Sequence, residues 1–389
     1  MIPVTKPFLP TETEFCDYVK SIWERQWLTN NGPLVNTLEL KLKEYLGVNH
    51  LLYVANGTIA LQLAIKALSL HGEIITTPFS FVATTSAIVW QECTPVFVDI
   101  DPETYNIDPA KIEAAITSKT TAILATHVFG NPCDIAAIQD IADRYGLKVI
   151  YDAAHCFGTL YKNRSVFEYG DISTTSFHST KLFHTIEGGA VFTQDPEILR
   201  KLALMRNFGF SGVDCFSEQG INAKNCEFHA AMGLCNLRYA DEILKKRRYL
   251  TEQYMLRLTN LDVQFQKVEN ADDYNYAYFP VLFSSEELML ESKAKLELAQ
   301  IYSRRYFFPS LSSLPYVNSA EMPICDSIAS RILCLPLYHT LGLSDLDLIC
   351  RLLLRTQNFT EGSQPRPDRF GKLVTDKIEW ELNVKNGKI

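Results

Sequence analysis

Between about residues 50 and 195 the chain alternates short β-rich runs with helical patterns. Parallel strands need long crossover connections, which helices supply, so this alternation folds as a mainly parallel sheet covered by helices. The expected class is therefore α/β. Runs 51–54, 73–77, 95–99, 121–126 and 148–151 read as strands. Ala60, Leu61, Ala64, Ile65 and Leu68 recur at helical spacing, and 134–145 reads as another helix. Asp108-Pro109 and Asp195-Pro196 each place an N-cap before a proline at the first helical position, opening helices over 110–116 and from 196 to about 207, the latter stopped by Gly209.

At 389 residues the chain exceeds one small core. A long helical region is expected over 228–258, with Lys245-Lys246-Arg247-Arg248 as a solvated face. A strand over 275–283, a helix over 285–300, a proline-punctuated stretch and a helix over 344–355 follow. This predicts a large domain with an N-terminal arm over 1–245, a smaller C-terminal α/β domain over 246–360, and a loosely packed polar tail over 361–389.

Open α/β sheets bind ligands outside the carboxyl ends of their strands. Asp152 ends the run Val149-Ile150-Tyr151, and Lys181 lies just past an apolar strand, before the Glu187-Gly188-Gly189 turn. Such a pair suits pyridoxal phosphate: a lysine amine can hold the cofactor as a Schiff base, while a carboxylate keeps its pyridine nitrogen protonated. Strand-end aspartates also cap turns, and lysines also sit on surfaces. The apolar sequence on both sides of Lys181 favours a buried amine, whose pKa desolvation would depress. Gly57-Thr58 opens a helix whose free N–H groups could take a phosphate, although such junctions are commonly plain turns. Ser176 could reach the same phosphate. His155 could meet the cofactor's phenolic oxygen or simply be a satisfied core histidine.

The net charge of −8 opposes general binding to nucleic acid or anionic membranes. No apolar run is long enough to span a bilayer, and the N-terminus lacks a signal-peptide core, so cytoplasmic residence is expected. The ten cysteines are scattered without zinc spacing, which suggests reduced thiols and no metal. Neither a Walker A sequence nor a Gly-x-Gly-x-x-Gly fingerprint occurs.

Taken together, Trp27-Leu28-Thr29-Asn30-Asn31-Gly32-Pro33, Asn56-Gly57-Thr58, Phe79-Ser80-Phe81-Val82-Ala83-Thr84, Val98-Asp99-Ile100-Asp101-Pro102, Tyr151-Asp152-Ala153-Ala154-His155, the Lys181 segment and Leu335-Pro336-Leu337-Tyr338 resemble the DegT/StrS-type sugar aminotransferases. These are fold type I pyridoxal phosphate enzymes acting on nucleotide-linked keto sugars. The resemblance implies Lys181 as the Schiff-base lysine, Asp152 as the pyridine partner, His155 near the phenolic oxygen and Phe81 stacked on the ring. It implies Gly57, Thr58 and Ser176 as phosphate contacts. Asn222 would reach the phosphate of the neighbouring subunit's cofactor, which implies a homodimer with shared active sites.

The resemblance also implies glutamate as amino donor and pyridoxamine phosphate as the form that aminates the sugar. Asn30, His178 and Lys224 fall on the substrate side, although the Lys224 segment departs from the family's commoner aromatic-arginine pattern. His178-Ser179-Thr180-Lys181 and Phe183-His184-Thr185-Ile186 resemble members that aminate carbon 4 of dTDP-4-keto-6-deoxyglucose for surface polysaccharides such as O-antigen. The alternatives are 3-amination of a dTDP-3-keto-6-deoxyhexose and a non-catalytic, cofactor-binding regulatory protein. Sugar dehydratases of the family replace the lysine with histidine, and Lys181 speaks against that chemistry.

Overall fold

A computed structural model describes residues 1–358. The tail expected over 361–389 lies outside the described residues. The central sheet has seven strands: β1 (Leu51–Val54), β2 (Glu73–Thr76), β3 (Thr94–Phe97), β4 (Thr120–Thr126), β5 (Lys148–Asp152), β6 (Ile172–Ser176) and β7 (Gly189–Phe192). Their order across the sheet is β1-β7-β6-β5-β4-β2-β3. All neighbours pair in parallel except β7, which runs antiparallel to both β1 and β6. The α/β expectation therefore stands, with one reversed strand.

Side chains on successive strand residues point to opposite faces, and each face here has its own core. Ile75, Ile123, Ala125, Val149, Tyr151 and Phe192 join one buried cluster, whereas Ile74, Ala122, Leu124, Ile150 and Val191 join the other. Burial on both faces explains why these strands read as continuous apolar runs. The helices Gly57–Ala67 and Pro196–Met205 contribute Leu61, Ala64, Leu202 and Met205 to the second cluster. The predicted caps act as such: Asp108 accepts from the Ala110 N–H, and Asp195 from those of Glu197 and Ile198.

A second sheet is antiparallel, with β8 (Val263–Phe265), β9 (Phe279–Phe283) and β10 (Ile332–Leu335) in that order. Its Val281, Phe283 and Leu333 pack with Leu250, Tyr254, Leu296 and Leu353 from the helices Ala240–Arg257, Glu286–Leu298 and Leu343–Asn358. Leu282, Ile332 and Cys334, on its other face, join the larger core.

Several expectations change. The helical region over 228–258 divides into two helices, Glu227–Leu237 and Ala240–Arg257, which break at Arg238 and Tyr239 without a glycine or proline. Arg247 is not solvated: it is 3% exposed and donates to the carbonyls of Leu337 at 2.7 Å and Ala277 at 3.2 Å. The strand expected over 275–283 starts only at Phe279, because Asn275 spends its amide on the carbonyls of His155 and Phe157. The helix over 110–116 shortens to Pro109–Ile112 followed by a 3₁₀ turn. Helices Glu12–Arg25, Pro33–Leu46 and Pro323–Arg331 are additions to the sequence reading.

Candidate active site

At the carboxyl edge of the parallel strands lies a cavity of about 590 Å³. Gly57, Thr58, Phe81, Asp152, His155, Ser176, His178 and Lys181 all line it. Register explains the convergence. Asp152 pairs with Thr126 on one side and Thr174 on the other, so β4, β5 and β6 end nearly level. Gly189, at the start of β7, is opposite both Val54 and Ser176.

Asp152 is 6% exposed. Its Oδ2 accepts from the Thr84 hydroxyl at 2.7 Å, and its Oδ1 from the Ala154 N–H at 3.2 Å. Ser80 lies 2.7 Å from the Thr84 hydroxyl, and Thr126 donates to Ser80 at 3.1 Å. With Thr84 giving its proton to the carboxylate, the hydroxyls form a one-way chain ending at Asp152, and each link polarises the next. Burial nonetheless raises the Asp152 pKa above the usual range, opposed by the Thr84 and Ala154 hydrogen bonds and the Lys181 charge.

Lys181 sits in a loop whose base is closed by Phe177 N–H donating to the Gly188 carbonyl and Thr185 N–H to that of Phe177. Phe177, Leu182 and Phe183 anchor the loop in the core, and Phe183 stacks on Phe157 with ring centroids 4.3 Å apart. The lysine is half-buried and faces the cavity. Burial lowers its pKa to about 8, with Asp152 pulling the other way.

His155 Nδ1 accepts from the Phe129 N–H at 3.2 Å. A neutral imidazole with Nδ1 so occupied carries its proton on Nε2. Burial holds the ring neutral by pushing its pKa well below the ordinary value. Phe81, at the N-cap of helix Val82–Trp90, leaves half of its surface (51%) open beside the cavity.

The helix Gly57–Ala67 is capped by Asn56, whose Oδ1 accepts from the Ile59 N–H at 2.9 Å. The Gly57 and Thr58 N–H groups find no acceptor among the described residues. Three chain segments crowd this point. A Cβ on Gly189 would lie 2.6 Å from the Asn56 carbonyl carbon, and one on Gly57 would lie 2.9 Å from the Ser176 Cβ. The result is a backbone cradle at a helix N-terminus, beside a serine hydroxyl, suited to a phosphate dianion. Cradle, open aromatic face, buried carboxylate and soft lysine amine together fit a phosphorylated aromatic aldehyde with a basic ring nitrogen.

Three sequence candidates fall outside this chain's cavity lining. Asn222 is exposed and accepts from Lys224 Nζ at 2.8 Å, and Lys224 lies over the Phe208 ring at 4.6 Å. Asn30 is exposed with a left-handed backbone. The cavity also has a wall that sequence reasoning missed: Tyr278, Arg304, Tyr306 and Phe307. Tyr278 and Phe307 lie 4.7 and 5.8 Å from the His155 ring. Thr84, Ser80 and Thr126 were missed as well.

This constellation is the equipment of a transaminase, and the chain belongs to the DegT/DnrJ/EryC1/StrS aminotransferase family, whose model matches residues 10–354. It is similar to the dTDP-4-amino-4,6-dideoxy-D-glucose transaminase of Escherichia coli, at 42% identity over 367 residues covering 91% of this chain and 98% of that one. Among solved structures it is similar to DesI, analysed in the presence of its TDP-sugar product, with 32% identity, a TM-score of 0.86, and 91% and 93% of the two chains covered. It is also similar to NtdA of Bacillus subtilis with bound cofactor PMP, at 28% identity and a TM-score of 0.82, covering 91% of this chain and 85% of that one. The enzyme is a sugar aminotransferase and its cofactor is pyridoxal phosphate.

Proposed function

We propose that the enzyme moves the amine of L-glutamate to carbon 4 of dTDP-4-keto-6-deoxyglucose, giving dTDP-4-amino-4,6-dideoxyglucose for surface polysaccharide synthesis. The observation that carries the chemistry is Lys181 and Asp152 in one cavity at the sheet edge. The sugar rests on the similarity to the Escherichia coli transaminase.

Pyridoxal phosphate, when bound, supplies an electron sink and carries the amine between the two substrates. Gly57, Thr58 and Ser176 would hold its phosphate, Phe81 would cover one ring face, and Asp152 would keep the ring nitrogen protonated. The Nε2–H of His155 is available to its phenolic oxygen. Lys181 would tether it and then act as proton carrier. An amine with a pKa near 8 is suited to both tasks, since its neutral and charged forms coexist near neutrality. In the donor half, the lysine amine would take the proton from the α-carbon of glutamate and pass it to the cofactor side. In the acceptor half, it would take a proton from the cofactor side and deliver it to the sugar carbon that gains the amine.

Two further parts of the reading go with it. Asn222 lies away from this chain's own cavity, which supports its use in the site of a second copy and hence a homodimer with shared sites. No helix among the described residues is long and apolar enough to cross a membrane, and we place the enzyme in the cytoplasm with its sugar-nucleotide substrate. The test is incubation with glutamate and either dTDP-4-keto-6-deoxyglucose or its 3-keto isomer, with the product identified by NMR. Amination of the 4-keto sugar is expected; a product aminated only at carbon 3 would replace this assignment.

A further inference from the structure

Two carboxylates of this chain line the cavity, and they are held in opposite ways. Asp152 is buried and bonded to Thr84 and Ala154. Glu187 leaves half of its side chain open (51%). Among the described residues its carboxylate meets only the His178 ring, with Oε1 3.5 Å from Nε2. His178 Nδ1 accepts from the Thr180 N–H at 3.2 Å and lies 2.8 Å from the Thr180 hydroxyl. A neutral imidazole so occupied carries its proton on Nε2, facing Glu187. A contact of 3.5 Å is too long for a strong hydrogen bond, so the carboxylate is oriented while most of its lone pairs stay unspent. The backbone beneath it is tightly fixed. The Glu187 carbonyl accepts from the Thr185 hydroxyl at 2.8 Å and from the Asn225 amide at 3.0 Å. Ile186, the residue before, has a φ of +69°, a left-handed conformation that a β-branched side chain rarely adopts. Its N–H donates to Nδ1 of buried His184 at 3.2 Å, and the Asn236 amide holds the His184 carbonyl at 2.9 Å. Strain of this kind persists only where the surroundings over-determine it, and it gathers at sites that bind ligands. Here it sets an open acceptor at the cavity, two residues before β7.

Resting on the aminotransferase reading above, we propose that Glu187 accepts a hydrogen bond from the sugar hydroxyl on the carbon beside the ketone, and thereby selects hexoses that carry it. In dTDP-4-keto-6-deoxyglucose this is the 3-hydroxyl, because carbon 5, on the other side of the ketone, bears the methyl group and the ring oxygen. An ionised carboxylate accepts and does not donate, so it requires a partner with a proton to share. The hydroxyl beside the ketone enters the cavity with the reacting carbon. Glutamate instead brings two carboxylates, which Glu187 repels, and its one strong donor, the amine, is the group handed to the cofactor. A hydroxyl-to-carboxylate bond is charge-assisted and stronger than a neutral one. A site built around such a bond rejects an analogue that lacks the hydroxyl, because its acceptor is then left unpaired.

The test compares loaded wild type, Glu187→Gln and Glu187→Ala on dTDP-4-keto-6-deoxyglucose and on its 3-deoxy analogue. Amination by enzyme preloaded with pyridoxamine phosphate reports the sugar half, and discharge by L-glutamate reports the donor half. Binding of the dTDP-amino sugar product to the pyridoxamine phosphate form, a complex that cannot react, gives a readout without turnover. Wild type should prefer the 3-hydroxy sugar by about tenfold or more in kcat/KM. Glu187→Ala should cut that preference to about twofold or less and weaken product binding by about tenfold. Glu187→Gln should fall between, since the amide oxygen still accepts but without the charge. The donor half should change by no more than about twofold, which also shows that the variants fold. A preference that survives in Glu187→Ala overturns the proposal. So does an equal loss on both sugars, which would give the carboxylate another partner, such as Lys224 of a second copy. A loss confined to the donor half would assign Glu187 to the glutamate amine instead. Wild-type enzyme that aminates only the 3-keto isomer would sink the sugar assignment alone, and the same comparison, made with the 2-deoxy and 4-deoxy analogues of that isomer, would then decide the role of Glu187.

Discussion

The Thr84 hydroxyl donates to Oδ2 of Asp152 at 2.7 Å, as the last link of a chain that begins at Thr126 and passes through Ser80. Hydrogen bonds to a charged group contribute about 1.5–3 kcal/mol, so this contact offsets part of the cost of burying the carboxylate. Thr84→Val should slow transamination about tenfold and lower the unfolding free energy by about 1–2 kcal/mol, with Thr84→Ser close to wild type. Kinetics and melting curves on the same samples check this. A lower melting temperature with normal turnover would restrict Thr84 to folding.

Burial raises the Asp152 pKa in the cofactor-free protein, so its ionised form is disfavoured by folding. The sign follows from linkage: the carboxylate costs no stability below its unfolded pKa, and the penalty grows as pH rises through the folded value. Asp152→Asn apoprotein should therefore melt above wild-type apoprotein near neutral pH, and the gap should close in acid. The same variant should transaminate poorly. An unchanged melting temperature at neutral pH would contradict the buried charge.

Lys181 is expected to react as an amine of pKa about 8. The rate of covalent pyridoxal phosphate uptake by the apoprotein should rise with pH and level off above about pH 9. Asp152→Asn removes an attraction that raises the lysine pKa, so its midpoint should move lower. Stopped-flow absorbance across pH measures both, and a rate still climbing toward the ordinary lysine range would refute the softened amine. Lys181→Ala should lose the visible band of the covalently held cofactor.

A methyl group on Gly189 would meet the Asn56 carbonyl at 2.6–2.7 Å and the Gly57 nitrogen at 2.8 Å. Overpacking of this kind costs about 1–3 kcal/mol. Gly189→Ala should also spread the phosphate cradle, weakening pyridoxal phosphate by about tenfold while changing unphosphorylated pyridoxal much less. Equilibrium dialysis with the two ligands provides the check; equal losses would argue for general damage.

Mixing Lys181→Ala with Asn222→Ala protein tests the shared site. If Asn222 serves the second copy, each mixed dimer has one site with both residues intact. Activity should then exceed that of either parent and approach about a quarter of wild type. No gain on mixing, with subunit exchange verified, would remove Asn222 from the partner's site.

The legible parts of the chain were those whose signals are local. Asp152 and the Asp195 cap announced themselves because strand ends and helix starts have short-range residue preferences. The Lys181 burial was readable from the apolar residues on both sides of it. Thr84 was not, because a threonine within Val82–Trp90 looks like any helical residue until Asp152 arrives beside it. The break at Arg238 and Tyr239 has no glycine or proline to mark it, and Arg247 hides in a run of charges while donating to two buried carbonyls. Helix Glu12–Arg25 did carry a signal, the Thr11 and Glu14 capping box, that could have been used. Arg304 lies in a stretch without periodicity, and its place in the cavity depends on Cys334 holding its backbone.

The wall formed by Tyr278, Arg304, Tyr306 and Phe307 comes from sequence far downstream of the lysine it encloses. On the ribosome, Lys181 and Asp152 therefore emerge and can fold at the edge of the parallel sheet while one side of their chamber has yet to be synthesised. Until that segment arrives and is tied to strand β10, the chamber of the amine lacks one wall and part of the burial that lowers its pKa. Chemical competence is thus an end-of-translation event: an incomplete chain would display the reactive lysine without the surroundings that make it reactive.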